Sequence, residues 1–134
     1  MSLTASDVRN FAWTRRPCAK FHFYQATAIN RSASLFVPPP GPPGEETITT
    51  LIRNSALTLE QIVFRGAASP KGFWYDQNRD EWVLLLCGEA DLRFESGQQV
   101  ALTAGDSLPI PAHRRHRVER TSADAVWLAL HFDD

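Results

Sequence analysis

Beyond Gly44 the chain is written in short apolar runs, each cut off by Gly, Asp, Ser or Pro, and no segment holds a 3.6-residue apolar period for three turns. That pattern constrains the fold more than any other feature. Thr47 to Ile52 is rich in β-branched residues, Leu57 to Phe64 is apolar on both faces, and Glu81 to Cys87 runs into Gly88. Ala90, Leu92 and Phe94 then alternate with Asp91, Arg93 and Glu95, which puts one face inward and the other in water. Ser96-Gly97 and Ala104-Gly105-Asp106 read as turns, and further runs follow at Ser107 to Ile110, His116 to Arg120 and Ala125 to Phe132. Many short strands with marked turns predict an all-β sandwich or barrel, with a helix over Glu45 to Asn54 as the weakest alternative.

The chain before that point is different. Most of the nine prolines fall in Val37-Pro38-Pro39-Pro40-Gly41-Pro42-Pro43-Gly44, which lacks backbone donors and favours an extended connector. The expected organisation is an N-terminal arm and connector over 1–44 and a barrel over 45–134. A length of 134 residues supports one core.

Charge and cysteine content narrow the partners. A net charge of -1 gives no clustered cationic excess for phosphate backbones, so nucleic acid is not expected. No stretch approaches a membrane span, and Met1 to Arg16 lacks the apolar run of a secretion signal. Cys18 and Cys87 match no zinc or redox spacing, and without a secretion signal a disulfide between them is not favoured. The chain reads as cytoplasmic with both thiols reduced.

Two stretches carry more specific information. One is Gly72-Phe73-Trp74-Tyr75-Asp76-Gln77 followed by Glu81-Trp82-Val83-Leu84-Leu85-Leu86-Cys87-Gly88; the other runs from Gly105-Asp106 through Pro111-Ala112-His113-Arg114-Arg115-His116. Together they resemble the two motifs of the cupin superfamily. Glu81 and Gly88 have the Glu-x6-Gly spacing of the first, and Gly105, Pro111 and His116 fit the second. The resemblance spans roughly Leu57 to Phe132 and is similar to small single-domain cupins bearing a Gly-Phe-Trp-Tyr-Asp-Gln signature. It implies a double-stranded β-helix (jelly-roll) barrel with an N-terminal extension.

The departures bear on chemistry. Tyr75 and Gln77 stand where the family has two histidines, and His113 stands where the second motif has Gly. The resemblance therefore implies a metal set of Gln77, Glu81 and His116, with Asp76 and His113 less favoured. Strand alternation turns Asp76 away from the face of Tyr75 and Gln77 unless the register slips by one. One imidazole with carboxylate and amide oxygens suits a divalent ion such as Zn, Fe, Mn or Ni.

Each of these residues also has a plainer role. Glu81 reads either as a ligand or acid/base group or as a strand-end carboxylate paired with Arg79. Gln77 reads either as a ligand or as a hydrogen-bonding strut. Tyr75 reads as a pocket wall and, with Glu81, as a catalytic candidate, while Tyr75, Trp74 and Arg114 are candidates to contact substrate. Arg114 and Arg115 are placed to attract an anion. His22 and His131 carry no motif and read as ordinary residues.

The expectation is a metal-binding cupin acting on a small anionic or carbonyl-containing molecule, as a metal-dependent oxidoreductase, isomerase or decarboxylase. The alternative is a metal-free cupin that binds or senses a small ligand without turnover. A homodimer is expected in either case, because exposed sheet edges favour pairing.

Overall fold

The computed structural model describes residues 34–133. Of the expected arm and connector over 1–44, residues 1–33, including Cys18 and His22, lie outside the described residues. Eight strands and no helix follow in order: β1 (Thr47–Arg53), β2 (Leu57–Val63), β3 (Asp80–Cys87), β4 (Glu89–Phe94), β5 (Gln99–Thr103), β6 (Ser107–Ile110), β7 (His116–Thr121) and β8 (Val126–Phe132). They form two antiparallel sheets, one ordered β1-β2-β8-β3-β6 and the other β5-β4-β7. This is a jelly-roll barrel, and the segment over Glu45 to Asn54 belongs to its edge strand rather than to a helix.

The two sheets close because their inward residues alternate with outward ones. Val83 and Leu85 on β3, Ala90, Leu92 and Phe94 on β4, and Trp127 and Ala129 on β8 meet Ile62, Leu102, Ile110 and Val118 in a single buried cluster. Phe64 packs edge-on against Trp127 with ring centroids 4.5 Å apart. Gly88 ends β3 with φ 77°, and a Cβ there would lie 2.9 Å from the Ala125 backbone, so this position tolerates only glycine. The Glu-x6-Gly spacing is thus a packing requirement at one end of β3 and a site requirement at the other.

The proline-rich connector is tied to the barrel. Arg65 donates to the Pro39 carbonyl at 2.8 Å and to Thr47 Oγ1 at 2.7 Å, and Gln61 Nε2 donates to the Leu35 carbonyl at 2.8 Å. Cys87 is buried and disulfide-bonded, which corrects the expected reduced thiol at that position. No helix among the described residues is long and apolar enough to cross a membrane.

Candidate functional site

The inner face is apolar over most of its length and polar at one end. Residues paired across antiparallel strands project to the same face, so the register identifies which side chains share the cup. His131 stands opposite Glu81 across β8 and β3, Thr58 stands opposite His131 across β2 and β8, and Arg53 stands opposite Thr58 across β1 and β2. On the facing sheet His116 stands opposite Phe94.

Glu81, His116 and Gln77 converge. His116 Nε2 lies 3.6 Å from Glu81 Oε2, and Gln77 Nε2 donates to the same oxygen at 3.1 Å. Both Glu81 and His116 are 5% exposed. The remaining ring nitrogen of His116 sits 2.9 Å from the Arg114 carbonyl oxygen, to which Nδ1–H donates. That bond fixes the tautomer and leaves Nε2 with its lone pair toward Glu81. Burial pushes the His116 imidazole below its ordinary range, which favours the neutral ring. Burial pushes Glu81 up to about 7, the Gln77 hydrogen bond opposes that shift, and the Glu60 carboxylate adds to it.

Aromatic side chains wall the imidazole. Tyr75 stacks on it with centroids 5.4 Å apart and planes 25° apart, and Phe94 lies 6.0 Å away on a tilt. Tyr75 is held there by a backbone bridge in which its N–H donates to the His116 carbonyl at 2.7 Å, and the His116 N–H returns a bond at 3.2 Å. Burial pushes the Tyr75 phenol up, so it stays protonated.

Other candidates lie further out. Asp76 turns to the rim, where its carboxylate meets His113 Nδ1 at 3.0 Å with both side chains exposed. His113 adopts φ 61°, and its N–H donates to the Gln77 carbonyl at 2.7 Å, which pins the loop that carries Gln77. Trp74 lies under the Arg117 guanidinium, 5.9 Å from its centroid, and does not line the cup. Arg114 borders the narrow gap beside Glu81 and His116, but its guanidinium stacks 4.2 Å over Phe94 and donates to Gln98 at 2.6 Å. Arg115 pairs outward with Glu95. Of the two arginines, Arg115 is thus paired with a carboxylate, while Arg114 borders the gap with only uncharged partners.

His131, read as ordinary, and Glu60, within the run read as apolar on both faces, both belong to the cup. His131 Nε2 lies 3.4 Å from Glu60 Oε2, each side chain is 18% exposed, and both line an open cup of about 870 Å³. Strand β2 is consequently not apolar on both faces, because Thr58 and Glu60 point inward at its mouth end. The available signal was alternation: Trp127, Ala129 and His131 share one face of β8.

A divalent ion in this cup would need donors that gather at ligand distance. Among the described residues, no three His, Cys, Asp or Glu side chains gather as ligands. Two do, and Gln77 supplies a third polar terminus at the same carboxylate oxygen. Amide O and N positions interchange by a simple flip, so Gln77 can offer Oε1 in place of Nε2. With the lone pair on His116 Nε2 already aimed inward, Gln77, Glu81 and His116 fit a three-ligand divalent site with open positions.

A single-domain jelly-roll barrel with a polar cup at one end and an apolar core at the other is thus the class that fold and site define. The family model for the cupin domain matches residues 65–131, and the chain belongs to that family. Among solved structures it is similar to a protein of Ralstonia eutropha JMP134 provisionally named a mannose-6-phosphate isomerase. That protein is 38% identical, the match covers 78% of this chain and all of the other, and the TM-score is 0.72. A cupin superfamily protein of Desulfitobacterium hafniense DCB-2 is 21% identical over 72% of this chain and 84% of its own, with a TM-score of 0.62. An RmlC-like cupin of Shewanella frigidimarina NCIMB 400 is 22% identical over 68% and 78%, with a TM-score of 0.57. The last two support the fold alone. No curated protein matches the chain.

Proposed function

We propose that this protein is a metal-dependent cupin of the isomerase type, acting on a small anionic compound that carries a carbonyl group. The observation that carries the reading is the convergence of His116 Nε2 and the Gln77 amide on one buried oxygen of Glu81. Gln77, Glu81 and His116 would hold the ion, which would act as a Lewis acid toward a carbonyl oxygen. The name of the Ralstonia eutropha relative supports the isomerase type and a phosphorylated substrate.

The chain's own residues prepare the site. The Arg114 carbonyl keeps the His116 proton on Nδ1, so the ring need not lose a proton to become a ligand. Tyr75 and Phe94 hold the imidazole plane and exclude water from two sides. His113 anchors the Gln77 backbone from the rim.

A second reading is a metal-free binding module. The favouring observation is that only two strong donors meet, so a carboxyl near neutrality in its ionisation serves equally as a hydrogen-bonding group for a ligand. Elemental analysis of untagged protein beside an E81A/H116A variant separates the two. Near-stoichiometric Zn, Fe, Mn or Ni in the parent and none in the variant supports the metal reading. Interconversion of hexose 6-phosphates by the parent, lost in the variant, supports the isomerase type; absence of metal from both proteins overturns the metal-dependent reading.

A further inference from the structure

Four inner-face residues stand in one row across the sheet. Arg53 on β1 pairs with Thr58 on β2, Thr58 with His131 on β8, and His131 with Glu81 on β3. Neighbouring strands lie about 4.8 Å apart, so three steps separate the Arg53 and Glu81 backbones by roughly 14 Å. The row leads from a buried carboxylate outward to an exposed guanidinium.

Arg53 reaches this face only because of a bulge. Thr50 pairs with Glu60 and Ile52 with Leu59, which leaves Leu51 as the extra residue. Without that insertion strict alternation would send Arg53 to the outer face, since one residue of slip inverts the facing of everything after it.

Ten residues line the mouth, and each carries a polar or charged group, two of them imidazoles. Its charges are mostly matched. Arg79 is held by Asp133 at 3.0 and 3.2 Å, Asp76 meets His113, and Glu60 meets His131. Arg53 alone among the mouth-lining cations has no carboxylate partner within the described residues; its guanidinium meets only Thr50 Oγ1 at 3.4 Å.

We propose that this row is a linear subsite for an extended, polyhydroxylated anion with its charge at one end. Its anionic end is clamped by Arg53, its hydroxyls face Thr58 and the Glu60–His131 pair, and its other end lies at Gln77, beside the narrow gap that Glu81 lines. The Arg53 guanidinium lies at the outer end of the row, beside Thr50 of its own strand. The remaining span suits a chain of five or six carbons ending in a phosphate or a carboxylate, both of which a guanidinium grips with paired hydrogen bonds. The proposal rests on the reading that Glu81 marks the reacting end.

Calorimetric titration of the full chain with a hexitol 6-phosphate, a hexonate and the uncharged hexitol tests it. The expected result is that one of the two anions binds about tenfold or more tightly than the hexitol, as a charge-assisted pair warrants. R53Q loses that preference while its hexitol affinity stays at the parent level, and Arg53→Lys keeps part of it. Whichever anion is preferred tells phosphate from carboxylate. A preference that persists in R53Q, or no preference in the parent, overturns the proposal. Metal content is measured on the same samples; if it stays at parent level in R53Q, a failed anion anchor is distinguished from a failed metal site.

Discussion

Glu81 and His116 meet at 3.6 Å through the one imidazole nitrogen that the Arg114 carbonyl leaves free, and both side chains are buried. Burial disfavours the charged form of both, pushing the Glu81 carboxyl up and the His116 imidazole down.

The first prediction concerns pH. The Glu81 carboxyl is pushed up to about 7 in the folded chain, chiefly by burial, against an ordinary value of 4.5. Its folded pKa is raised, so the stability it contributes is present below about pH 4.5 and is lost as pH rises through about 7. In metal-free protein, the unfolding free energy from urea titrations should fall over this window by an amount on the order of 2–3 kcal/mol. E81Q should flatten the profile and be the more stable protein at pH 8. An unchanged profile in E81Q would place the ionisation elsewhere.

Gln77 sets metal affinity under the proposed function. Gln77→Leu removes the third donor and should weaken binding by about 10–100-fold, while Gln77→Glu adds a charged oxygen and should tighten it. Competition against a chromogenic chelator measures both, and equal affinities in all three proteins would remove Gln77 from the ligand set.

Core packing gives a prediction independent of function. Leu85 is fully buried among the inward residues of both sheets, so Leu85→Ala should cost about 2–5 kcal/mol in chemical denaturation. Gly88→Ala introduces a Cβ against the Ala125 backbone at positive φ and should cost on the order of 2 kcal/mol despite adding one methyl group. A neutral Gly88→Ala would show that the turn between β7 and β8 can move aside.

Strand β1 carries the expectation of a dimer. It is the edge of the five-stranded sheet, with Ile48 54% and Ile52 52% exposed, and Phe36 and Val37 are exposed in the connector that precedes it. Unpaired edges with apolar side chains favour association. Sedimentation velocity should report a dimer for the parent and a monomer for I48K/I52K; a monomeric parent would rule the dimer out.

Much of the barrel was legible before any coordinates. The alternation in Ala90, Leu92 and Phe94 and the turns at Gly97 and Gly105 placed the strands within a residue or two, because period-2 hydrophobicity is written locally. The spacing of Glu81, Gly88, Gly105, Pro111 and His116 placed two groups of the site, since each lies at a fixed distance from a turn that the chain itself marks. The side of the strand on which Gln77 and Asp76 point was open, and backbone bonds from His113 and His116 to the loop decided it.

What only the tertiary structure decided was who shares the cup. His131 looks ordinary in sequence because its partners, Glu60 and Glu81, are 71 and 50 residues away and meet it through two strand pairings. Arg53 faces the mouth through a bulge whose extra residue no local pattern announces. Arg114 and Arg115 are adjacent in sequence, yet only Arg115 finds a carboxylate, Glu95, while Arg114 lies over Phe94 beside Gln98. Strand facing is a local property and a sequence can encode it alone; register between distant strands is set by the whole barrel closing on its core.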